Sequence, residues 1–168
     1  MRLLRSAILA AAALCLSDPG RAAEFACTPD QCIEKINEIV GRTDKDLVAV
    51  KRTCEEQNGS QRCIYRGGLG PNIHVFFSPA SPNAQVILLA DGRGLSPAGC
   101  AYLAAIMEAF DTSLNDADRR TRFYNRLVEE ALGSAEKGGQ VQLSTDGLTY
   151  LLFTNERLTI VSITVGNS

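Results

Sequence analysis

Apolar positions along the chain fall into three kinds of run, and each kind predicts a different element. The first is continuous, with Ala7 through Leu16 apolar without a break. The second repeats at helical spacing. Ile33, Ile36, Ile39 and Val40 form one such stripe, and Thr28-Pro29-Asp30-Gln31 before it has the composition of a helix start. Thr28 suits the N-cap, Pro29 the first helical position, and Gln31 completes a capping box. Cys100, Leu103, Met107, Phe110 and Leu114 form a second stripe behind Ser96-Pro97; Phe123, Leu127, Val128, Ala131 and Leu132 form a third behind Asn115. These predict helices over 97–112 and 116–136, the latter capped by Asn115 and ended by Gly138-Gly139.

The third kind of run is short and bounded by turn residues. The segments 47–54 and 63–66 flank Asn58-Gly59, a strong two-residue hairpin signal. Partner numbers then sum to 117, so Cys54 faces Cys63 and Glu55 faces Arg62, an opposite-charge cross-strand pair. Residues 73–77 predict a strand before a turn over 79–83, and Val86-Ile87-Leu88-Leu89, apolar on both faces, predicts a central strand. Asp146-Gly147 joins 141–143 to 148–153 with partners summing to 293, and 158–165 continues that apolar face. Helix, four strands, two helices and three strands predict a single α+β domain, with an antiparallel sheet packed against helices in two layers.

The continuous run is read differently. Arg2 and Arg5 precede it, ten apolar residues are too few to cross a bilayer, and Asp18-Pro19-Gly20 and Arg21-Ala22-Ala23 follow. That pattern predicts a secretory signal peptide over 1–23, cleaved after Ala22 or Ala23, with residues 24–168 as the exported domain. Leu14 before Cys15 departs from the small residue that precedes a lipidated cysteine. Nothing later is apolar for long enough to span a membrane, which predicts a chain without a transmembrane segment, periplasmic or secreted, where disulfides persist.

Export changes the cysteine arithmetic. Six cysteines become five: Cys27, Cys32, Cys54, Cys63 and Cys100. Cys27 and Cys32 occupy the two staple positions around the first helix start, and Cys54 and Cys63 form a non-hydrogen-bonded hairpin pair, where strands come closest. Both pairs are expected as structural disulfides. Cys100, on an apolar helix stripe, is expected in the core.

Charge narrows the partners. The 17 basic and 19 acidic residues give a net charge of −2; without Arg2, Arg5, Arg21 and Asp18 the counts are 14 and 18, and the net charge is −4. No nucleic-acid partner is expected. Scattered carboxylates and one His suggest no metal and no cofactor. Asp91 through Ser96 precedes a helix but matches no phosphate-binding motif. Arg119, Arg122 and Arg126 recur at i, i+3 and i+7, with the first two where a helix dipole disfavours cations, and this stripe is the candidate binding surface for an acidic partner. The expected function is a non-enzymatic module binding an envelope protein or peptide. Two alternatives are a small hydrolase using His74, Asp91 and Ser96, and a carrier of a small apolar ligand, which requires a closed cavity.

Overall fold

The computed structural model describes residues 27–67, 70–78, 81–91, 95–134 and 139–165. The expected signal segment, residues 92–94 and Gly138 lie outside the described residues, as do the side chains of Asp91 and Leu132.

Helix α1, Pro29–Thr43, starts as its sequence dictates. Thr28 Oγ1 accepts from the Gln31 N–H at 3.4 Å while Gln31 Oε1 accepts from the Thr28 N–H at 3.0 Å. The Cys27–Cys32 disulfide closes across the cap with Cα atoms 5.4 Å apart. Cys32, Ile33, Ile36 and Val40 form the buried stripe.

The expected strand over 47–54 begins later. Asp44 accepts from the Asp46 N–H at 2.9 Å and caps a 3-10 turn over Lys45–Leu47. Beyond it, one amide side chain satisfies the backbone of Ala49. Asn37 Nδ2 donates to the Ala49 carbonyl at 2.9 Å, and Asn37 Oδ1 accepts from its N–H at 2.8 Å. With Ala49 held by α1, strand β1 runs Val50–Gln57 and pairs with β2, Ser60–Arg66.

Asn58 and Gly59, at φ 53° and 75°, supply the left-handed pair the tight turn requires. Cys54 faces Cys63 in register, and the disulfide spans a Cα distance of 4.1 Å. Strands β3, Asn72–Ser78, and β4, Ser81–Asp91, follow antiparallel, with β4 starting at Ser81 rather than after Asn83. Then come α2, Pro97–Phe110; a 3-10 turn, Thr112–Leu114; α3, Ala117–Ser134; and strands β5, Gln140–Ser144, β6, Leu148–Thr154, and β7, Leu158–Val165. Helix α2 stops two residues short of its expected end, because the Asp111 carboxylate caps the following 3-10 turn at the Ser113 N–H. Asp116, not Asn115, opens α3: its carbonyl accepts from Arg120 and its carboxylate from the Asp118 N–H.

The seven strands form one antiparallel sheet ordered β1-β2-β3-β4-β7-β6-β5. As its pattern predicts, β4 is central. The two meanders join where Leu88 meets Val161 and Val86 meets Ile163. Alternation sends Tyr65, Ile73, Val75, Val86, Leu88, Tyr150, Val161 and Ile163 to the face covered by the helices, where all are buried. The opposite, helix-free face is half-buried and apolar at its centre, with Ile64, Phe76, Ile87, Leu151 and Ile160, and carries exposed Gln140, Gln142 and Ser144 at one margin.

With no tryptophan, buried tyrosines are the largest core side chains, and each uses its hydroxyl as a tether. Tyr65 donates to Asp30 of α1 at 2.7 Å, Tyr102 of α2 to the Leu47 carbonyl, and Tyr150 of β6 to Asp111 at 2.8 Å. Gly67 and Gly70 make room for Tyr102; a Cβ at Gly67 would stand 2.8 Å from the Leu47 carbonyl oxygen.

Candidate functional site

His74, Asp91 and Ser96 do not converge. The β3 pleat places His74 on the helix-free face, opposite Ile64 and Ile87, whereas Ser96 opens the helix that covers the other face. Asp91 ends β4 opposite Leu158, four positions beyond the residue that pairs with His74. The Ser96 hydroxyl accepts from the Gly99 N–H at 3.1 Å, as a helix cap. Arg62 Nη2 lies 2.9 Å from His74 Nδ1; a guanidinium can only donate, so this ring nitrogen carries the lone pair. Burial first, and the Arg62 charge second, hold His74 below its ordinary pKa. A general base needs its lone pair free for substrate, and here that lone pair faces a cation.

Arg62 also corrects an expected contact. Glu55 is its cross-strand partner in register, yet the guanidinium turns toward His74 and over the Phe76 ring, 5.3 Å from its centroid. The cation prefers a half-buried aromatic and a neutral imidazole on β3 to an exposed carboxylate on the edge strand.

Cys100 is half-buried rather than in the core. Its sulfur lies 2.8 Å from the Tyr124 hydroxyl and 3.8 Å from the Leu95 carbonyl. Burial, followed by the Cys100 contact, pushes the Tyr124 hydroxyl up to about 12. The two side chains line a groove of about 340 Å³ between α2 and α3, whose floor is Ala104 and Met107 and whose end is closed by Glu108 and Arg120. It is open to solvent, unlike the enclosed cavity an apolar carrier needs. Among the described residues, no group of three or more His, Cys, Asp and Glu is placed to hold a metal ion.

Two residues that no sequence pattern above singles out organise this end of the molecule. Asp111 is 2% exposed, and its carboxylate accepts from the Ser113 N–H, the Ser113 hydroxyl, Thr145 and Tyr150 at 3.1, 2.6, 2.7 and 2.8 Å. Arg120 pairs with Glu108 of α2 at 3.2 Å and donates to the carbonyls of Leu114 and Asn115 at 3.0 Å. An Asx-type turn at Asp111-Thr112-Ser113 and an arginine just inside a helix start were the available signals.

The two sheet edges differ sharply. Strand β1 carries Lys51, Arg52, Glu55 and Glu56, is bulged between Lys51 and Thr53, and is pinned by the Lys51–Asp30 ion pair and the Cys54–Cys63 bond. Bulges and charges are what guard an edge against further pairing. Strand β5 reads Gln-Val-Gln-Leu-Ser, with no charge and no proline.

Its ladder is readable from two bonds. The Thr154 N–H donates to the Gly139 carbonyl and the Thr145 N–H to the Leu148 carbonyl, each at 2.9 Å. Alternation then turns the backbone groups of Val141 and Leu143 toward β6, and those of Gln140, Gln142 and Ser144 away from the sheet. Among the described residues, no strand pairs with that side.

Helix α3 packs over β5 and β6, with Phe123 edge-on to Tyr150 at 5.0 Å. Ala117, Arg120, Thr121 and Tyr124 face the groove with α2. At about 100° per residue, Arg119, Arg122 and Arg126 fall on the opposite flank, the one over the β5 margin of the sheet. All three are exposed. Arg119 reaches the Ser113 carbonyl at 3.4 Å, which accounts for its place so early in the helix. Arg126 pairs with Glu130 at 2.6 Å, and Arg122 has no hydrogen-bond or ion-pair partner among the described residues.

No family model matches the chain, no curated protein matches it in sequence, and no solved structure matches it in fold.

Proposed function

We propose that this chain is an exported, non-enzymatic module of the cell envelope, periplasmic or secreted, that binds another envelope protein or peptide without a cofactor. The observation that carries the reading is the unguarded β5 edge, whose outward N–H and C=O groups at Gln140, Gln142 and Ser144 match the hydrogen-bonding needs of an added strand. Export is supported by two disulfides in the described region and by the signal-like composition of residues 1–23; among the described residues, no helix is long and apolar enough to cross a membrane. Catalysis has weaker support, because the His74 lone pair and the Ser96 hydroxyl are already engaged.

The test places a photo-crosslinking side chain at Gln142, and in a matched control at Glu55 on the guarded edge, in the native envelope. A discrete adduct from position 142 and none from position 55 is the expected result. Adducts of equal yield from both positions, or none from either, would overturn the proposal.

A further inference from the structure

We propose that the segment taken up by β5 is acidic, an extended strand with carboxylates at alternate positions directed toward Arg119, Arg122 and Arg126. This rests on the strand-addition reading of the β5 edge and adds the chemistry of the occupant.

Three observations lead to it. An added strand continues the pleat, so every second side chain projects to the helix-covered side, as Val141 and Leu143 do in β5. Beside β5, that side is overlooked by the α3 flank bearing the three arginines. Their axial span is about 10 Å at 1.5 Å per residue, against about 13 Å for three alternate strand positions, so one guanidinium can serve each. Arginine also has the reach and the planar donor fork for a carboxylate.

The second observation is charge. The chain is acidic overall, with 19 Asp and Glu against 17 Lys and Arg, so three arginines recurring on one flank are a local feature; Glu129 and Glu130 follow a turn further on, and Glu130 meets Arg126. The third is availability. Arg122 has no partner among the described residues, and the Arg126–Glu130 link is an exposed i,i+4 pair, which is weak and readily exchanged. Arg119 holds one carbonyl, that of Ser113, at 3.4 Å, whereas Arg120, one position away, is committed to Glu108 and two carbonyls.

Fluorescence anisotropy on the mature chain, disulfides intact, decides the matter. The probes are labelled nine-residue peptides: one alternating glutamate with threonine, one with glutamine replacing glutamate, and two glutamate versions N-methylated on one or the other alternate set of amides. The glutamate peptide should bind at least tenfold more tightly than the glutamine peptide at low salt, and added salt should erase the difference. The triple substitution Arg119→Gln, Arg122→Gln, Arg126→Gln should reduce the glutamate peptide to the glutamine level while leaving the thermal midpoint in place. One N-methylated set should abolish binding and the other should not.

Equal affinity for glutamate and glutamine peptides, with the N-methyl asymmetry intact, overturns the acidic occupant and leaves strand addition standing. Tight glutamate binding that survives both methylation patterns overturns strand addition, and this inference with it. Absence of binding by every peptide overturns both.

Discussion

The carboxylate of Asp111 is expected to be the most costly single group to remove from this fold. In Asp111→Ala, four donors lose their acceptor. Ser113 is half-exposed and its two donors regain water, and Thr145 retains the Leu148 carbonyl at 3.2 Å. The Tyr150 hydroxyl, on a fully buried side chain, has no other hydrogen-bond acceptor among the described residues. An orphaned buried donor costs about 1–3 kcal/mol, and hydrogen bonds to a charged acceptor are worth about 1.5–3 kcal/mol each, so the expected loss is about 3–5 kcal/mol. With a melting entropy of about 0.3 kcal/mol/K for a domain of about 145 residues, Tm should fall by roughly 10–16 °C. Urea unfolding of the oxidised chain measures the loss directly, as a lower midpoint at unchanged slope. In combination with Tyr150→Phe the two losses should be sub-additive by about 1 kcal/mol or more, because the orphaned hydroxyl is gone. A loss below about 1 kcal/mol in Asp111→Ala, or strict additivity in the pair, would refute the reasoning.

Two other outcomes are expected. Gly67→Ala places a Cβ against the Leu47 carbonyl and the Tyr102 hydroxyl at once, so it should break their hydrogen bond and cost about 2–3 kcal/mol; a near-neutral Tm would mean the backbone at Gly67 yields freely. His74 is held below its ordinary value of 6.5, so above that pH neither state carries its proton, and as pH falls below it the unfolded chain binds the proton first. Stability should therefore decline as pH drops below 6.5, and His74→Gln should remove that part of the decline in urea midpoints at pH 7.5 and 5.5. The Asp30 carboxylate, lowered by its Lys51 and Tyr65 bonds, adds its own loss only near and below its ordinary 3.8.

What was legible in the sequence was local. Asn58-Gly59 and Asp146-Gly147 fix hairpin registers because a two-residue turn leaves no freedom in pairing; the sum of 293 holds throughout, and the sum of 117 holds from the turn to Thr53, where the bulge shifts it by one. The capping box at Thr28 is likewise a contact between residues three apart. The junction of β4 with β7 was not legible, since two apolar strands far apart in sequence carry no mark of whom they will pair with. Asp111 was missed for the same reason: a lone acid after a helix looks like a solvated cap until Thr145 and Tyr150 arrive from the distant meander. The arginine stripe was visible as spacing, but its place over β5 depended on the strand order. Arg62 shows a further limit. Its register opposite Glu55 was correct and its partner was not, because His74 and Phe76 come from a third strand.

The same junction has a kinetic consequence. Until β7 arrives, β4 is not the middle of anything: its Val86 and Leu88 backbone waits for partners at positions 163 and 161, beyond two helices and another hairpin. The first four strands and both disulfides, which close loops of only 5 and 9 residues' separation, can assemble early, whereas the sheet becomes whole only on the last strand. A half-formed molecule therefore presents the apolar run Val86–Leu89 of β4 as an edge, and the slow, aggregation-exposed step in folding is the one that covers it.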